Sequence, residues 1–483
     1  MNVETRAKEP MFQLRATRQA LCALWLITAV AAQAAGVGAL TISTEYGRPV
    51  LSCANTPGNA YTVEVSTNLA SASWKWTTTI TTSAAQIRWA DDPATKHTLF
   101  YRIGLATNPA PFLSLQNALR RACTNQGIVG ASAAAWVPGS GLWIGTFGTY
   151  DGSIPIRPQT FFQVGSVTKT FVSATILKLV EEGRLTLEDT VGQWLPNLNW
   201  ANVSASITVR QLLSHRSGIY NFGDDTPFRQ ALFTDWSRHW QPEDLSPYVR
   251  APYFLPGTDG EYSNTGYVLL GMIIRSATAS SVAAEMRRTI LKPAGLHNTV
   301  MGAEETWNGP LANPHLDFNG DGVHEDLGAL SQTAILTSFW TSGAEISTAG
   351  DLVRFARNLF EGGLLSEASL AAMRNFQSID AGGTRLDYGL GLMRYDILGR
   401  VHWAHSGGLF GEFAWLSFCP STGACLGVAY NHPNVKLGPN LPGELLIELS
   451  NLANTQASAA ALRPSEQAPF PTATIPFLFD EVN

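Results

Sequence analysis

The chain has 483 residues, enough for two or three folded units, and 45% of them are hydrophobic, which is ample for a large core. Only 14% are charged, the formal net charge is −6 and no basic block occurs, so nucleic acid is not expected as a partner. No run in the body of the chain reaches the ~20 apolar residues that a membrane span needs. We find no phosphate-binding, dinucleotide or zinc motif, so no cofactor or metal is expected.

The N-terminus has the layout of a secretory signal peptide. Arg15 and Arg18 precede the apolar run "ALCALWLITAVAAQAAG", which ends in small residues. We therefore predict a signal peptide over residues 1–34, cleaved after Ala34, and export to the periplasm or the exterior. An N-terminal membrane anchor is the alternative. The mature chain would contain no transmembrane span.

Four cysteines would remain after cleavage, and export permits disulfides. Cys419 and Cys425 flank the turn-rich segment "PSTGA" between the apolar stretches "FAWLSF" and "LGVAYN". This pattern predicts a hairpin with a disulfide between Cys419 and Cys425. Cys53 and Cys123 are then left as the second pair.

Residues 38–105 predict a small antiparallel β-sandwich. The segments "AYTVEVS", "WKWTTTI", "AQIRWA" and "TLFYRIG" are rich in β-branched and aromatic residues, and "NTPGN" and "DDPATK" separate them. The pattern resembles the fibronectin-type-III-like modules that are appended to secreted bacterial enzymes. A spacer or adhesion role is expected for it.

Residues 106–453 predict a larger α/β unit. A helix at "LQNALRRAC" and two strands in "GIVGASAAAWVPGSGLWIGTFG" come first, and a helix-rich region follows over about 166–374. Four further strands and the helix "GELLIELSNLAN" then close the unit. We expect one antiparallel sheet built from both ends of this domain, with a helical subdomain inserted. The Pro- and Ala-rich residues 454–483 are expected to form an unpacked tail.

The chain uses lysine sparingly, and one lysine stands three residues after a serine. Only seven of the 32 basic residues are lysine, and "SVTK" at Ser166–Lys169 is the only Ser-x-x-Lys. Residues three apart share a helix face, so Lys169 would lie against Ser166 in the first turn of the helix "SVTKTFVSATILKLVEEG". A lysine that loses its proton can act as a base for the serine, whereas arginine does not deprotonate in proteins.

Two further segments carry polar groups in turn-rich surroundings. Tyr262 and Asn264 are two residues apart before a helix, so their side chains can point the same way. His405 begins "HSGG", whose two glycines allow a substrate backbone to approach closely. His402 and His405 have opposite parity in a strand, which excludes a metal pair, and His215 in "HRSG" is interpreted as structural.

These motifs resemble those of the penicillin-recognising serine hydrolases, which comprise D-Ala-D-Ala carboxypeptidases, class C β-lactamases and related esterases. Ser-x-x-Lys, Tyr-x-Asn and a Lys/His-Ser/Thr-Gly triplet occur in that family in this order. Connecting segments such as "LVEEGRLTLEDTVGQWLP", "ITVRQLLSHRSGIYNF" and "AEISTAGDLVRF" agree over roughly residues 125–435. The resemblance implies a β-lactamase/transpeptidase-like fold.

The resemblance also implies roles for individual residues. Ser166 would be the acylated nucleophile, with Lys169 as its base. Tyr262 would assist proton transfer and protonate the leaving group, while Asn264 would position the substrate. The backbone N–H groups of Ser166 and Gly408 would form the oxyanion hole.

The triplet His405-Ser406-Gly407 replaces the lysine form found in class C β-lactamases and resembles the peptidase branch more. A protonated His405 or the Ser406 hydroxyl would receive a substrate carboxylate, and Gly407 would line the substrate.

The resemblance favours an exported serine hydrolase acting on cell-wall-type D-peptides, most simply a D-Ala-D-Ala carboxypeptidase. A carboxylesterase, a β-lactamase and, from a different class, a non-catalytic homologue that binds peptides or β-lactams are the alternatives. The expected partner is a small-molecule or peptide substrate, and the oligomeric state stays open.

Overall fold

The computed structural model describes residues 31–33, 40–45, 48–56, 58–66, 75–82, 84–90, 100–316, 325–431 and 441–461. The predicted signal peptide lies outside these ranges except for Ala31–Gln33. The predicted tail lies outside them beyond residue 461.

The strands are numbered in chain order: β1 (Ala31–Gln33), β2 (Thr41–Glu45), β3 (Arg48–Ala54), β4 (Tyr61–Ser66), β5 (Lys75–Thr82), β6 (Gln86–Ala90), β7 (Phe100–Leu105), β8 (Gly130–Val137), β9 (Gly141–Gly148), β10 (Phe162–Gln163), β11 (Val300–Met301), β12 (His315–Leu316), β13 (Glu325–Asp326), β14 (Glu345–Ser347), β15 (Gln377–Ala381), β16 (Thr384–Tyr388), β17 (Met393–Ile397), β18 (Arg400–Leu409), β19 (Glu412–Cys419) and β20 (Ala424–Asn431).

The α-helices are α1 (Ala110–Gln126), α2 (Thr168–Glu181), α3 (Val191–Trp194), α4 (Val209–Leu213), α5 (Thr226–Thr234), α6 (Asn264–Thr278), α7 (Val282–Met286), α8 (Thr333–Gly343), α9 (Ala349–Phe360), α10 (Glu367–Met373) and α11 (Leu441–Ala461). Helix α11 continues past residue 453, where the sequence predicted the tail to begin. In the part of the chain that the structure describes, no helix taken alone has the length and apolarity to cross a membrane, although the bent pair Asn264–Thr278 and Val282–Leu291 meets both criteria together.

The main sheet has the expected construction from both ends of the larger α/β unit, residues 106–453. Its strand order is β1-β7-β4-β5-β9-β8-β20-β19-β18-β17-β16-β15. The N-terminal hairpin β8–β9 meets the C-terminal strands where β20 pairs with β8 in antiparallel register. The central strands are almost wholly buried because both faces of the sheet are covered.

Two hydrophobic cores lie on opposite faces of this sheet. Helices α1 and α11 cover one face, where Leu115 and Leu445 pack with Trp415. The helix-rich insertion covers the other face, and Phe171 of α2 and Leu269 of α6 lie within that core. The nucleophile segment belongs to this second layer, between the sheet and the inserted helices.

The N-terminal β module is continuous with the main sheet. It has a three-stranded sheet β2-β3-β6 and a second sheet formed by β4, β5 and β7, with buried side chains such as Leu51, Tyr61 and Ile103 between them. This second sheet is part of the main sheet, because β5 pairs in parallel with β9. The Trp143 indole N–H of β9 also donates to Thr81 Oγ1 at 2.7 Å, and that hydroxyl donates to Gln116 Oε1 at 2.7 Å.

We expect Thr81→Val to lower the free energy of unfolding by about 1–3 kcal/mol, because it leaves the buried indole N–H of Trp143 and the Gln116 oxygen without their partner. Urea denaturation followed by tryptophan fluorescence measures this change. A valine variant as stable as the wild type would show that the contact between β5 and β9 does not stabilise the catalytic domain.

The predicted disulfides are wrong. Cys53, Cys123, Cys419 and Cys425 are all free and buried. The hairpin β19–β20 pairs Cys419 with Ala424 and Cys425 with Phe418. Since neighbouring residues of a strand point to opposite faces, the two thiols lie on opposite faces of the sheet. Cys53 and Cys123 belong to two separate cores, so they do not pair either.

Candidate active site

Ser166 lies in a short 3₁₀ turn, Gly165–Val167, that leads directly into α2. The preceding Gly165 has φ +50°, and a side chain there would bring its Cβ within 2.8 Å of the Gly408 nitrogen. A glycine is required here for both reasons. The sequence predicted Ser166 in the first turn of the helix, whereas Ser166 lies in the 3₁₀ turn just before α2 begins at Thr168; Lys169 lies against it as expected.

Lys169 is completely buried, and its Nζ lies within hydrogen-bond distance of three oxygens. These are Ser166 Oγ at 2.9 Å, Asn264 Oδ1 at 2.7 Å and the Ser342 carbonyl oxygen at 2.7 Å. The amide and carbonyl oxygens can only accept, whereas the serine hydroxyl can also donate. An ammonium group can donate to all three oxygens, whereas a neutral amine has two N–H groups for the two acceptors and one lone pair that can accept the Ser166 hydroxyl proton.

Tyr262 and Asn264 are brought to the same lysine by the segment that precedes α6. The ring centre of Tyr262 is 4.8 Å from Lys169 Nζ, and the side chain is 9% exposed. The backbone N–H of Tyr262 donates to the Asp380 carbonyl at 2.9 Å. The N–H of Asn264 donates to Asn221 Oδ1 at 3.0 Å, which fixes the start of the helix. Two sequence motifs, Ser166–Lys169 and Tyr262–Asn264, therefore meet at one amine.

His215 belongs to this group, although the sequence predicted only a structural role for it. Its ring centre is 4.2 Å from that of Tyr262 and 4.6 Å from that of Tyr388, and its Nδ1 accepts the Ser263 N–H at 3.1 Å. Burial lowers the pKa of His215 well below its usual value, and Lys169 acts in the same direction whenever its amine is protonated, so the ring is neutral. The sequence signal that could have indicated His215 is the segment "HRSG". In it His215 adopts a left-handed backbone conformation (φ +57°), which is uncommon for residues other than glycine.

The glycines of the third motif lie against the nucleophile turn. A Cβ on Gly407 would lie 2.0 Å from the Val164 carbonyl oxygen and 3.0 Å from the Ser166 nitrogen. The ladder between β17 and β18 ends at Ala404, whereas the ladder between β18 and β19 continues to Leu409. The stretch of β18 beside Ser166 therefore has an edge to which an extended substrate can be added.

His405 is buried and uncharged, which corrects the expectation of a protonated ring. Its Nδ1 lies 2.6 Å from the Ser406 carbonyl oxygen and its Nε2 lies 2.9 Å from the Tyr388 hydroxyl. Since a carbonyl only accepts, Nδ1 carries the proton and Nε2 accepts from Tyr388. Burial lowers the pKa of His405 to about 3, and Lys169 contributes in the same direction whenever its amine is protonated. A neutral ring whose two nitrogens are both engaged is a poor receptor for a carboxylate.

Ser406 also has uncharged surroundings. The side chain is 1% exposed, and its hydroxyl lies 4.0 Å from the Met393 sulfur and hydrogen-bonds the Tyr395 phenol. Both groups proposed from the sequence to receive a carboxylate are therefore held by neutral partners.

Among the described residues, no cluster of three or more metal-ligating side chains occurs.

Comparison with known proteins agrees with this geometry. The family model described as "Beta-lactamase" matches residues 115–440. Penicillin-binding protein 4 of Amycolatopsis lactamdurans is 29% identical over 72% of this chain and 93% of its own length. Penicillin-binding protein 4* of Bacillus subtilis (strain 168) is 30% identical over 53% of this chain, and the match spans only 57% of that relative.

Two solved structures with related names are similar over most of their length. A D-stereospecific amidohydrolase from Streptomyces sp. is 31% identical with a TM-score of 0.58, covering 66% of this chain and 94% of its own. A D-amino acid amidase from Ochrobactrum anthropi SV3, complexed with L-phenylalanine amide, is 26% identical with a TM-score of 0.64, covering 72% of this chain and 100% of its own. The chain therefore belongs to the serine β-lactamase and transpeptidase family and is a serine hydrolase with the β-lactamase/transpeptidase-like fold.

Proposed function

We propose that the chain forms an acyl-enzyme on Ser166 and hydrolyses amide, peptide and ester derivatives of D-amino acids. The observation that carries this proposal is the 2.9 Å contact between Lys169 Nζ and Ser166 Oγ, with the other two Nζ contacts made to oxygens that only accept. This arrangement gives the amine one position in which to receive the serine proton.

The reaction follows from these positions. Ser166 Oγ attacks the substrate carbonyl carbon while its proton passes to the Lys169 amine. The resulting oxyanion accepts hydrogen bonds from the N–H groups of Ser166 and Gly408. The bond to the leaving group then breaks, and the leaving nitrogen or oxygen takes a proton through Tyr262. Water attacks the acyl-Ser166 ester by the reverse proton route and releases the acid.

Two relatives support the D-amino-acid preference. The Streptomyces and Ochrobactrum proteins are named as a D-stereospecific amidohydrolase and a D-amino acid amidase, and nearly their whole chains superpose on this one. The match to proteins named as penicillin-binding points to the same class of acyl donor. These names support the D-peptidase type of enzyme that the sequence predicted.

The part of the site near His405 and Ser406, where the leaving group would lie, favours amides and esters over peptides with a free terminal carboxylate. A carboxylate that leaves water must be paired with a cation or with several donors, because its desolvation is otherwise unfavourable. His405 is neutral and Ser406 lies between Met393 and Tyr395. We therefore place amidase activity ahead of the D-Ala-D-Ala carboxypeptidase activity expected from the sequence.

A matched pair of substrates tests this proposal. N-acetyl-D-alanyl-D-alanine and its C-terminal carboxamide differ only in the terminal charge. We expect kcat/KM to be at least about 10-fold higher for the carboxamide, equivalent to ~1.4 kcal/mol. The L,L carboxamide is the stereochemical control and should react more slowly. Preference for the free acid, or for the L,L peptide, would contradict the proposal.

The same preparation separates the alternatives. Turnover of p-nitrophenyl acetate without reaction with D-amides would identify a carboxylesterase, and rapid turnover of a penicillin would identify a β-lactamase. A non-catalytic homologue would turn over none of these compounds.

Export is also part of the proposal. It is supported by the signal-like residues 1–34 and by relatives named as penicillin-binding proteins. The substrate would then be met outside the cytoplasm.

A further inference from the structure

We propose that Glu412 is a positioning residue that ties the strand leading into Ser166 to the hairpin that carries Gly408, and so sets the spacing between the two N–H groups of the oxyanion hole. The inference rests on the acyl-enzyme function proposed above. Glu412 itself does not touch the reacting atoms.

The hairpin β18–β19 places Glu412 next to the proposed oxyanion donor. Glu412 is the first residue of β19 and lies opposite Leu409, and Gly408 pairs with Phe413. Only Phe410 and Gly411 connect the strands, with φ +43° and +89°. Two positive φ values at the centre of a two-residue turn are typical of the tightest hairpins. A displacement of Glu412 should therefore also displace Gly408, because only a tight two-residue turn connects their strands.

The carboxyl group of Glu412 reaches the segment that carries the nucleophile. The backbone N–H of Gln163 donates to Glu412 Oε1 at 3.4 Å. Gln163 ends β10, three residues before Ser166. Its side-chain nitrogen donates in turn to Gln332 Oε1 at 3.0 Å. Glu412 thus joins β19 to the strand from which the nucleophile turn begins.

The segment that leads into Ser166 and the hairpin β18–β19 contact each other at two points. At one point the glycines 165 and 407 allow backbone contact, and at the other Glu412 binds Gln163. The glycine contact limits how closely the segments approach, and the glutamate resists their separation. The distance between the two oxyanion donors is therefore held from both sides.

The surroundings of Glu412 favour the protonated acid over the carboxylate. The side chain is completely buried, and Oε2 has no hydrogen-bond partner among the described residues. Asn431 lies directly opposite Glu412 on β20. Among the described residues, Asn431 Oδ1 and Gln163 Oε1 also receive no hydrogen bond. An ionised carboxylate would add a charge among acceptors, whereas the neutral acid supplies an O–H donor.

Burial raises the pKa of Glu412 well above its usual value, which agrees with this arrangement. The strands packed against it present Gln163, Leu409 and Asn431, which are uncharged. His315 of β12, whose carbonyl contacts Gly411, is the titratable residue on that side, and its Nδ1 lies 2.9 Å from the Asn313 carbonyl oxygen.

The test compares Glu412→Ala with Glu412→Gln on a D-amino-acid p-nitrophenyl ester. We expect the alanine variant to lose roughly 10- to 100-fold in kcat with KM changed by less than about twofold, because misplaced oxyanion donors act on the transition state. The glutamine variant should stay within about threefold of the wild type, because its amide supplies an N–H where the acid supplies an O–H.

The pH profile gives a second readout. Glu412 is neutral below its raised pKa and ionises as the pH increases through it, so the wild-type kcat should fall as the pH rises through that pKa. Glutamine does not ionise, and the corresponding part of the fall should be absent in Glu412→Gln. A purely structural glutamate would shift the unfolding midpoint without this difference between the two profiles.

Glu345→Ala is the matched control. Glu345 is another fully buried carboxyl group whose two oxygens have no hydrogen-bond partner among the described residues, and burial raises its pKa to about 8. Its replacement should alter stability without a selective fall in kcat. The inference is overturned if Glu412→Ala keeps the wild-type kcat, or if the glutamine and alanine variants are equally impaired.

Ser166→Ala, assayed in parallel, separates this inference from the proposed function. Full activity in Ser166→Ala would refute the acyl-enzyme itself. An inactive Ser166→Ala together with a fully active Glu412→Ala would refute only the role of Glu412.

Discussion

Replacing Lys169 with arginine is expected to reduce kcat about as severely as replacing it with alanine, by ~10³–10⁴-fold or more. Arginine supplies hydrogen-bond donors, but it does not deprotonate and so cannot receive the proton of Ser166. The Nζ position is also enclosed, because it contacts Ser166, Asn264 and the Ser342 carbonyl at 2.7–2.9 Å. A planar guanidinium group cannot occupy this space without displacing its neighbours.

Lys178→Arg provides the matched control on the same helix. Lys178 forms a partly exposed ion pair with Glu181, and its replacement should leave kcat unchanged within about twofold. Hydrolysis of a D-amino-acid p-nitrophenyl ester measures both variants, and thermal unfolding reports whether each remains folded. Substantial activity in a folded Lys169→Arg protein would contradict a neutral-amine base.

Gly407→Ala is expected to lower kcat by ~10²–10³-fold, the amount lost when an oxyanion donor is removed. The added Cβ would lie 2.0 Å from the Val164 carbonyl oxygen, and backbone cannot yield as a flexible side chain does. Strand β18 must therefore move away from the nucleophile turn, and it carries the Gly408 N–H with it.

Gly266→Ala in α6 is the comparison for this variant. A Cβ at Gly266 would meet its nearest neighbour, Leu212, at 3.6 Å, which is an ordinary contact. Alanine is also the better helix former, so this variant should fold and keep its activity. If Gly407→Ala is as active as Gly266→Ala, the close contact between β18 and the nucleophile turn does not matter for catalysis.

The sequence predicted which residues of the candidate site lie together where local geometry determines it. The three-residue spacing of Ser166 and Lys169 holds in the structure because the first turn of a helix is a local feature. The motif at Tyr262 and Asn264 converges on the same amine, an expectation that came from the family resemblance. The construction of the main sheet from both ends of the domain is confirmed in the same way.

Features that depend on long-range packing were not predictable from the pattern. The charge state of His405 depends on its burial and on Tyr388, which a separate strand supplies. The cysteine hairpin was recognised, but the disulfide depends on a one-residue register that the sequence does not reveal. The parallel pairing of β5 with β9 joins segments far apart in the chain, and no local signal marks it.

The most direct test of the central claim is to identify the acylated residue. The wild-type protein and Ser166→Ala are mixed with a fluorescent penicillin or with p-nitrophenyl acetate, quenched in acid and digested for mass spectrometry. We predict one acyl group on the peptide that contains Ser166 in the wild type, and none at any position in Ser166→Ala. An acyl group on a different residue, or wild-type turnover by Ser166→Ala, would contradict the mechanism.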